Sequence, residues 1–161
     1  PGIRVQMMLK KHFQKLGGTY MLGDSVVGGV FEDGKLKSIK TTNHGETEFE
    51  ADNFILASGS FFSKGLVSDI DGVREPVFGL DVDYAENRPD WYRRNLFEAQ
   101  PYMSFGVSTD ASLRVSKNGN TIPNIYAAGS VLSGFHPMKQ GCGAGVSILT
   151  SLYVADQVIN K

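Results

Sequence analysis

A single cysteine, Cys142, excludes an intrachain disulfide and makes a reducing compartment the simpler setting. No run of about 18 apolar residues occurs, so no segment has the length and character of a bilayer-spanning helix. Strong charge of either sign is also missing. Lys and Arg number 16 against 17 Asp and Glu, a net charge of −1, which argues against nucleic-acid binding driven by bulk electrostatics. Two phosphate-binding patterns are absent: there is no G-x-x-x-x-G-K-[ST], and no G-x-G-x-x-G follows a strand near the start. Signal-peptide pattern, internal repeat, low-complexity tract and domain linker are not in evidence either. What is present is an ordinary globular composition, 41% hydrophobic and 20% charged over 161 residues, enough for one domain with its own core. The first residue, Pro1, stands inside a helix-like stretch, so the chain is expected to be part of a longer protein.

The most informative stretch is Thr121 to Val158. Ile125-Tyr126-Ala127-Ala128 has the composition of a buried strand and stops at Gly129-Ser130. After a turn-rich passage come Gly141-Cys142-Gly143-Ala144-Gly145 and then an apolar run from Val146 with no Gly or Pro, read as a largely buried helix starting near Gly143. A glycine loop opening a helix has two uses. Unpaired N–H groups and the helix dipole favour a phosphate or an electron-rich ring edge, and missing Cβ atoms let it approach. The alternative is tight packing of helix on strand.

Upstream, Ile3–Leu16 reads as an amphipathic helix stopped by Gly17-Gly18. Strands are expected at Thr19–Leu22, Ser25–Phe31, Lys35–Thr42 and Glu46–Ala57, with Asp33-Gly34 a hairpin turn and Asn43-His44-Gly45 another turn. Asn53–Ala57 reads as a short buried strand ending at Ser58-Gly59-Ser60. Phe61–Phe105, rich in Gly, Pro and acids, reads as an irregular insertion on the substrate side, able to project as a subdomain. Strand character resumes at Gly106–Asp110 and Leu113–Val115, and Lys117–Asn120 is a turn.

The ordered pieces F-I-L-A-S-G-S-F-F, G-V-S-T-D-A-S-L-R-V, I-P-N-I-Y-A-A-G-S-V and Q-G-C-G-A-G-V resemble the flavoprotein family that includes fumarate reductases and succinate dehydrogenases. A narrower resemblance is to the B-subunit family of anaerobic glycerol-3-phosphate dehydrogenases. It is carried by Leu56–Val67, Gly72–Pro76, Gly79–Val82, Trp91-Tyr92, Gln100-Pro101, Phe105–Asp110 and Ala128–Val146. The resemblance implies an α/β fold: the C-terminal part of a two-dinucleotide-binding-domain flavoprotein, Rossmann-like, with a β-meander and the 61–105 insertion, the N-terminal dinucleotide-binding half lying outside this chain. It implies oxidation of sn-glycerol 3-phosphate to dihydroxyacetone phosphate with electrons passed toward a quinone. It also implies FMN as cofactor with FAD as the architectural alternative. The partners it implies are the family's catalytic A subunit and its membrane-associated iron–sulfur C subunit, with a cytoplasmic location at the inner face of the membrane. A non-catalytic flavin-fold scaffold, a fumarate-reductase-like enzyme and an NAD(P)-linked reductase are the competing readings.

On this reading the cofactor-binding residues are Ala57, Ser58, Gly59, Gly129, Ser130, Gly141, Gly143, Ala144, Gly145 and Val146. Many flavoproteins carry a carboxylate where Ser130 stands; a hydroxyl accepts from a ribityl group more weakly. Alcohol oxidation needs a base, and His136 is the histidine near the glycine loop; the alternative is a loop histidine bonded to backbone. A substrate phosphate would want a cation, and Arg74 is one candidate, Lys139 another; Arg74 could instead pair with Glu75 or a nearby Asp. Arg93-Arg94 could serve a partner surface. Cys142 is either an activated thiol at a helix start or a small side chain chosen for room. Phe61, Phe62, Phe105, Tyr126 and Phe135 are expected to be core for the most part. No metal site is expected.

Overall fold

A computed structural model describes residues 2–160. Helix α1 (Gly2–Lys15) leads into Gly17, whose φ of +89° ends it. A meander follows: β1 (Val26–Glu32), β2 (Lys35–Thr41) and β3 (Glu48–Glu50), paired antiparallel in that order. Asp33 and Gly34 both take positive φ, 49° and 74°, the two-residue turn whose twist matches the strands it joins. Strand β4 (Phe54–Leu56) leaves the meander and runs parallel to β10 (Asn120–Ala127), which also pairs antiparallel with β9 (Arg114–Lys117). The order β4-β10-β9 makes β10 the central strand, and its Ile125, Tyr126 and Ala127 are buried to 1% exposure or less.

Between β4 and β9 the chain makes two small antiparallel pairs, β5 (Val67–Ser68) with β6 (Val73–Arg74) and β7 (Val82–Asp83) with β8 (Gly106–Val107). Three single 3-10 turns complete this region. It is irregular, as expected, yet Leu66, Val73, Phe78, Leu80 and Phe105 enter the same core as Leu36, Val115 and Ile125. Trp91 organises its outer part, meeting Tyr84 and Phe105 edge-on and carrying the Arg88 guanidinium over its ring at 4.6 Å. After β10 come a 3-10 turn at Gly129–Val131, the short helix α2 (Pro137–Gln140) and α3 (Gly143–Ile159).

Several expectations are corrected. Thr19–Leu22 forms no strand: the chain turns at Gly23, φ +77°, and no strand pairs with it. Glu46–Ala57 is two strands in two sheets, because β3 pairs with β2 while β4 pairs with β10. β4 is not wholly buried, since it lies at the sheet edge and Ile55 is exposed. Helix α3 is not largely buried either. Only Val154 is, packed with Tyr126 and Ala128, because the described residues cover one side of the helix; Ile148, Leu149 and Leu152 face outward. The apolar face of α1 is likewise exposed throughout. Of the aromatic set, Phe105 and Tyr126 are core and Phe61 and Phe135 pack against it, whereas Phe62 is exposed.

Meander and central sheet are joined by one side chain. Asn124 on β10 accepts from Leu36 N at 3.0 Å and donates to Leu36 O at 2.7 Å and Asp52 O at 3.2 Å. Its amide thus takes the place of a neighbouring strand for Leu36. A second anchor sits at the far end of the meander. Asp24 accepts from Thr42 Oγ1, Ser25 N and Asn43 N and faces His44 Nδ1 at 2.7 Å. Burial opposes its charge, but hydrogen bonds from Thr41, Thr42, Asn43 and His44 outweigh that and hold the carboxyl far below the usual range.

Candidate functional site

The parallel strands β4 and β10 end side by side, with Leu56 opposite Ala127, and the Ala128 N–H donates to Leu56 O at 3.0 Å. Each strand then breaks at a left-handed glycine, Gly59 at φ +82° and Gly129 at φ +77°. A side chain at either would be strained. The two turns face one another: a Cβ at Gly59 would lie 3.6 Å from Ser130 Oγ. Gly65 backs the first turn so closely that a Cβ there would lie 2.0 Å from Gly59 O. Open parallel sheets bind ligands beyond their carboxyl ends, and that is where Ala57–Gly59 and Gly129-Ser130 stand.

Helix α3 is tied to this place by Thr150, whose Oγ1 accepts from Gly129 N at 2.9 Å and donates to Val146 O at 2.6 Å. The Gly129 Cβ position lies 3.4 Å from Ser147 Oγ, so the first turns of α3 lie against the end of β10. The N-cap of α3 is Cys142, which makes no side-chain cap, so the first N–H groups and the positive end of the dipole are not quenched by a cap. Cys142 is partly buried, its thiol 3.6 Å from Gln140 Oε1. The two glycines of the first turn differ from those at the strand ends. A Cβ at Gly145 would meet nothing within 4 Å, and one at Gly143 would meet only Pro137 Cβ at 3.6 Å. Neither has positive φ. Packing within the described residues does not ask for glycine at either position. Gly141, by contrast, ends α2 at φ +61° and serves as its left-handed cap. Ala144 and Gly145 are exposed and Val146 is half-buried.

Polar groups at the site await partners. Ser58 Oγ is buried without a hydrogen bond, an arrangement that costs about 1–3 kcal/mol unless something else satisfies it. Ser130 is exposed. Ala57 and Ser58 also line a cleft of about 1180 Å³ that runs along the free edge of β4 beside Val26 and Pro76, roomy enough for a dinucleotide-sized ligand. An unsatisfied Ser58 hydroxyl and an uncapped helix start with open Cβ space fit a flavin, and the cleft along β4 reaches the site at Ala57 and Ser58.

His136 and Arg74 stand differently. His136 Nδ1 accepts from Lys139 N at 3.1 Å, capping α2, and Gln140 Oε1 accepts from His136 N at 2.8 Å. The Nδ1 lone pair is therefore in use, and Nε2, the protonated nitrogen in that arrangement, is buried with no partner. His136 and Lys139 share a mostly apolar cavity of about 630 Å³ with Phe97, Tyr102 and Met138. Arg74 lies on β6, its Nε donating to Asp69 at 3.0 Å, and that bond is the main cause that lowers the Asp69 pKa from its usual value. Glu75 does not pair with Arg74; it is buried and accepts from Val77 N and Phe78 N at 2.9 and 2.7 Å. The structure therefore brings Ala57–Gly59, Gly129-Ser130 and the start of α3 together and leaves Arg74 with Asp69. Thr150, which ties the loop to α3, was not among the expected site residues; a threonine inside an apolar helix is its only trace in the sequence. Among the described residues no group of three or more His, Cys, Asp or Glu could hold a metal ion, and no helix is long and apolar enough to cross a membrane.

The chain belongs to the FAD binding domain family, whose pattern matches residues 1–146. Curated relatives, each named as the B subunit of anaerobic glycerol-3-phosphate dehydrogenase, are similar to it over nearly its whole length. The one from Yersinia pseudotuberculosis is 44% identical over 160 residues, covering 99% of this chain and 38% of the relative. The one from Pectobacterium carotovorum is 45% identical over 160 residues, and that from Aliivibrio fischeri 40% over 172, with the same coverage. The chain thus spans 38% of the length of these relatives. No solved structure matches it.

Proposed function

We propose that this chain supplies one wall of a flavin site within an anaerobic glycerol-3-phosphate dehydrogenase, and that the flavin is FAD rather than FMN. The observation that carries the reading is the pair Gly143 and Gly145, at an uncapped helix start where neither packing nor φ calls for glycine. Membership of an FAD-binding family favours the dinucleotide. Bound flavin supplies two-electron chemistry that side chains lack. The chain's own residues do the rest. The first turn of α3 places N–H donors and partial positive charge where an electron-rich edge is favoured. Ser58 and Ser130 offer hydroxyls, and the Gly59 and Gly129 turns let backbone come close. The reaction is oxidation of sn-glycerol 3-phosphate to dihydroxyacetone phosphate, with electrons leaving toward a quinone. Partners are a separate catalytic polypeptide and an iron–sulfur polypeptide, through which the protein sits at the inner face of the membrane. The 61–105 region lies on the substrate side.

A second reading, in which the protein carries flavin and electrons but does not itself oxidise substrate, is favoured by the engagement of both candidate catalytic groups: His136 Nδ1 by Lys139 N and Arg74 by Asp69. Absorption of the purified protein and mass identification of the released flavin test the cofactor, with FAD expected and FMN or no flavin counting against it. Bleaching of the flavin by glycerol 3-phosphate, with and without the catalytic partner, separates the two readings. Bleaching by this protein alone supports the first, and bleaching only in the complex supports the second.

A further inference from the structure

The segment between the end of β10 and the start of α3 is held by Asp83 and by residues 104–108. Leu132 bridges in parallel to Val107 of β8. Gly106 lets the two segments touch: a Cβ there would lie 2.2 Å from Leu132 C and 2.3 Å from Ser133 N. Gly134 N donates to Ser104 O at 3.0 Å. Side chains add to this clamp through Asp83, at the end of β7. Its Oδ2 accepts from Ser133 Oγ at 2.6 Å and its Oδ1 accepts from Ser108 Oγ. Ser133 stands three residues before His136 and ten before Gly143. On the other side, α3 is fixed to β10 through Gly129 and Thr150. The loop that leads into the helix start is therefore set from two directions, one of them a carboxylate remote in sequence.

We propose that Asp83 is a positioning residue for the flavin site, acting through Ser133 to set the loop that carries His136 and leads to the first turn of α3. The proposal rests on the flavin reading above. Asp83 is exposed, and its bonds to the two serines lie at the surface. Losing them leaves no buried charge, so the fold itself should hardly register the change, whereas the loop loses a fixed point. That separation makes the role testable.

The experiment compares Asp83→Ala, Ser133→Ala, the double variant and Asp83→Asn in the protein purified with its flavin. Flavin retention and visible circular dichroism of the flavin are read alongside apoprotein melting. We expect each single alanine variant to weaken flavin retention by about two- to tenfold, the equivalent of one hydrogen bond, and to alter the visible dichroism. The double variant should go no further than Asp83→Ala, since the Asp83–Ser133 bond is already lost in each single variant. Asp83→Asn keeps an acceptor for Ser133 and should recover most of the signal, with apoprotein melting unchanged across the set. Variants that load flavin normally with unaltered dichroism would overturn the proposal alone. So would additive losses, or losses matched by earlier apoprotein melting. Wild-type protein that carries no flavin would overturn the flavin reading itself.

Discussion

Replacing Gly145 by alanine should move two quantities in opposite directions. The glycine is the third residue of α3, and a Cβ there meets nothing within 4 Å. Glycine in a helix costs about 0.5–1 kcal/mol relative to alanine, and a first-turn position belongs at the lower end of that range. For a chain of this size 1 kcal/mol shifts the midpoint by about 2–4 °C, so the apoprotein should melt about 1–3 °C higher. If the same methyl group stands where a flavin edge approaches the helix start, it displaces at least one N–H contact. That is worth about 0.5–1.5 kcal/mol, or roughly two- to tenfold in affinity. Gly65→Ala is the contrasting control: its Cβ would lie 2.0 Å from Gly59 O, and the apoprotein should melt well below wild type whatever binds. The assay is apoprotein melting with flavin titration of the same preparations, Gly143→Ala included. A Gly145→Ala protein that melts higher and binds flavin as tightly as wild type would refute the argument. One that melts lower would show a packing role that the geometry denies.

Asn124→Ala should leave the Leu36 N–H and C=O buried without partners, at about 1–3 kcal/mol each, lowering the melting midpoint by roughly 4–24 °C; calorimetry checks this, and a shift under a degree or two would contradict it. Asp24→Asn bears on acid stability. A carboxyl depressed in the folded state stabilises above its ordinary pKa near 4, and that contribution is lost as pH falls through the folded value. The variant should melt lower than wild type at pH 7, and the gap should narrow as the pH falls below about 4. A gap that stays constant down to the lowest pH reached would rule out Asp24 as the source. Gly106→Ala should disrupt the contact with Leu132 and Ser133, where only 2.2–2.5 Å is available, and amide exchange across Gly106–Ser133 should speed up selectively.

Turn chemistry was the most legible part of the fold. Asp33-Gly34 and Asn118-Gly119 adopt paired positive φ values, which short polar and glycine residues permit locally whatever surrounds them. Strand extent was less legible. Thr19–Leu22 has strand composition without a partner, and β propensity measures fit to a neighbouring surface more than a backbone preference. At the break between β3 and β4, Asp52 O accepts from Asn124, 72 residues away. Apolar content located α3 without revealing how little of it the rest of the chain covers. At the site, the glycines at 59, 129, 141, 143 and 145 could be picked out because each is a backbone requirement or a vacancy. The Thr150 and Asp83 ties could not, since both join side chains to loops far off in sequence.

The Asn124 amide also bears on the order in which the molecule assembles. Its partner, Leu36, lies 88 residues earlier, and the intervening loop includes the whole 61–105 region with Pro76, Pro89 and Pro101. Closing a loop of that length is entropically slow to be repaid, whereas β1 and β2 meet across two residues. The meander can thus exist early, with Leu36 presenting an unfilled N–H and C=O. Those two groups form a template that accepts β10 in one register only, because a shift by one residue would offer Pro123 or Ile125 in place of the amide. Asn124 therefore favours a single register of β10 against Leu36. Chains substituted there should fold more slowly, and a fraction of them should pair β10 out of alignment with β4, carrying the Gly129 turn away from Gly59.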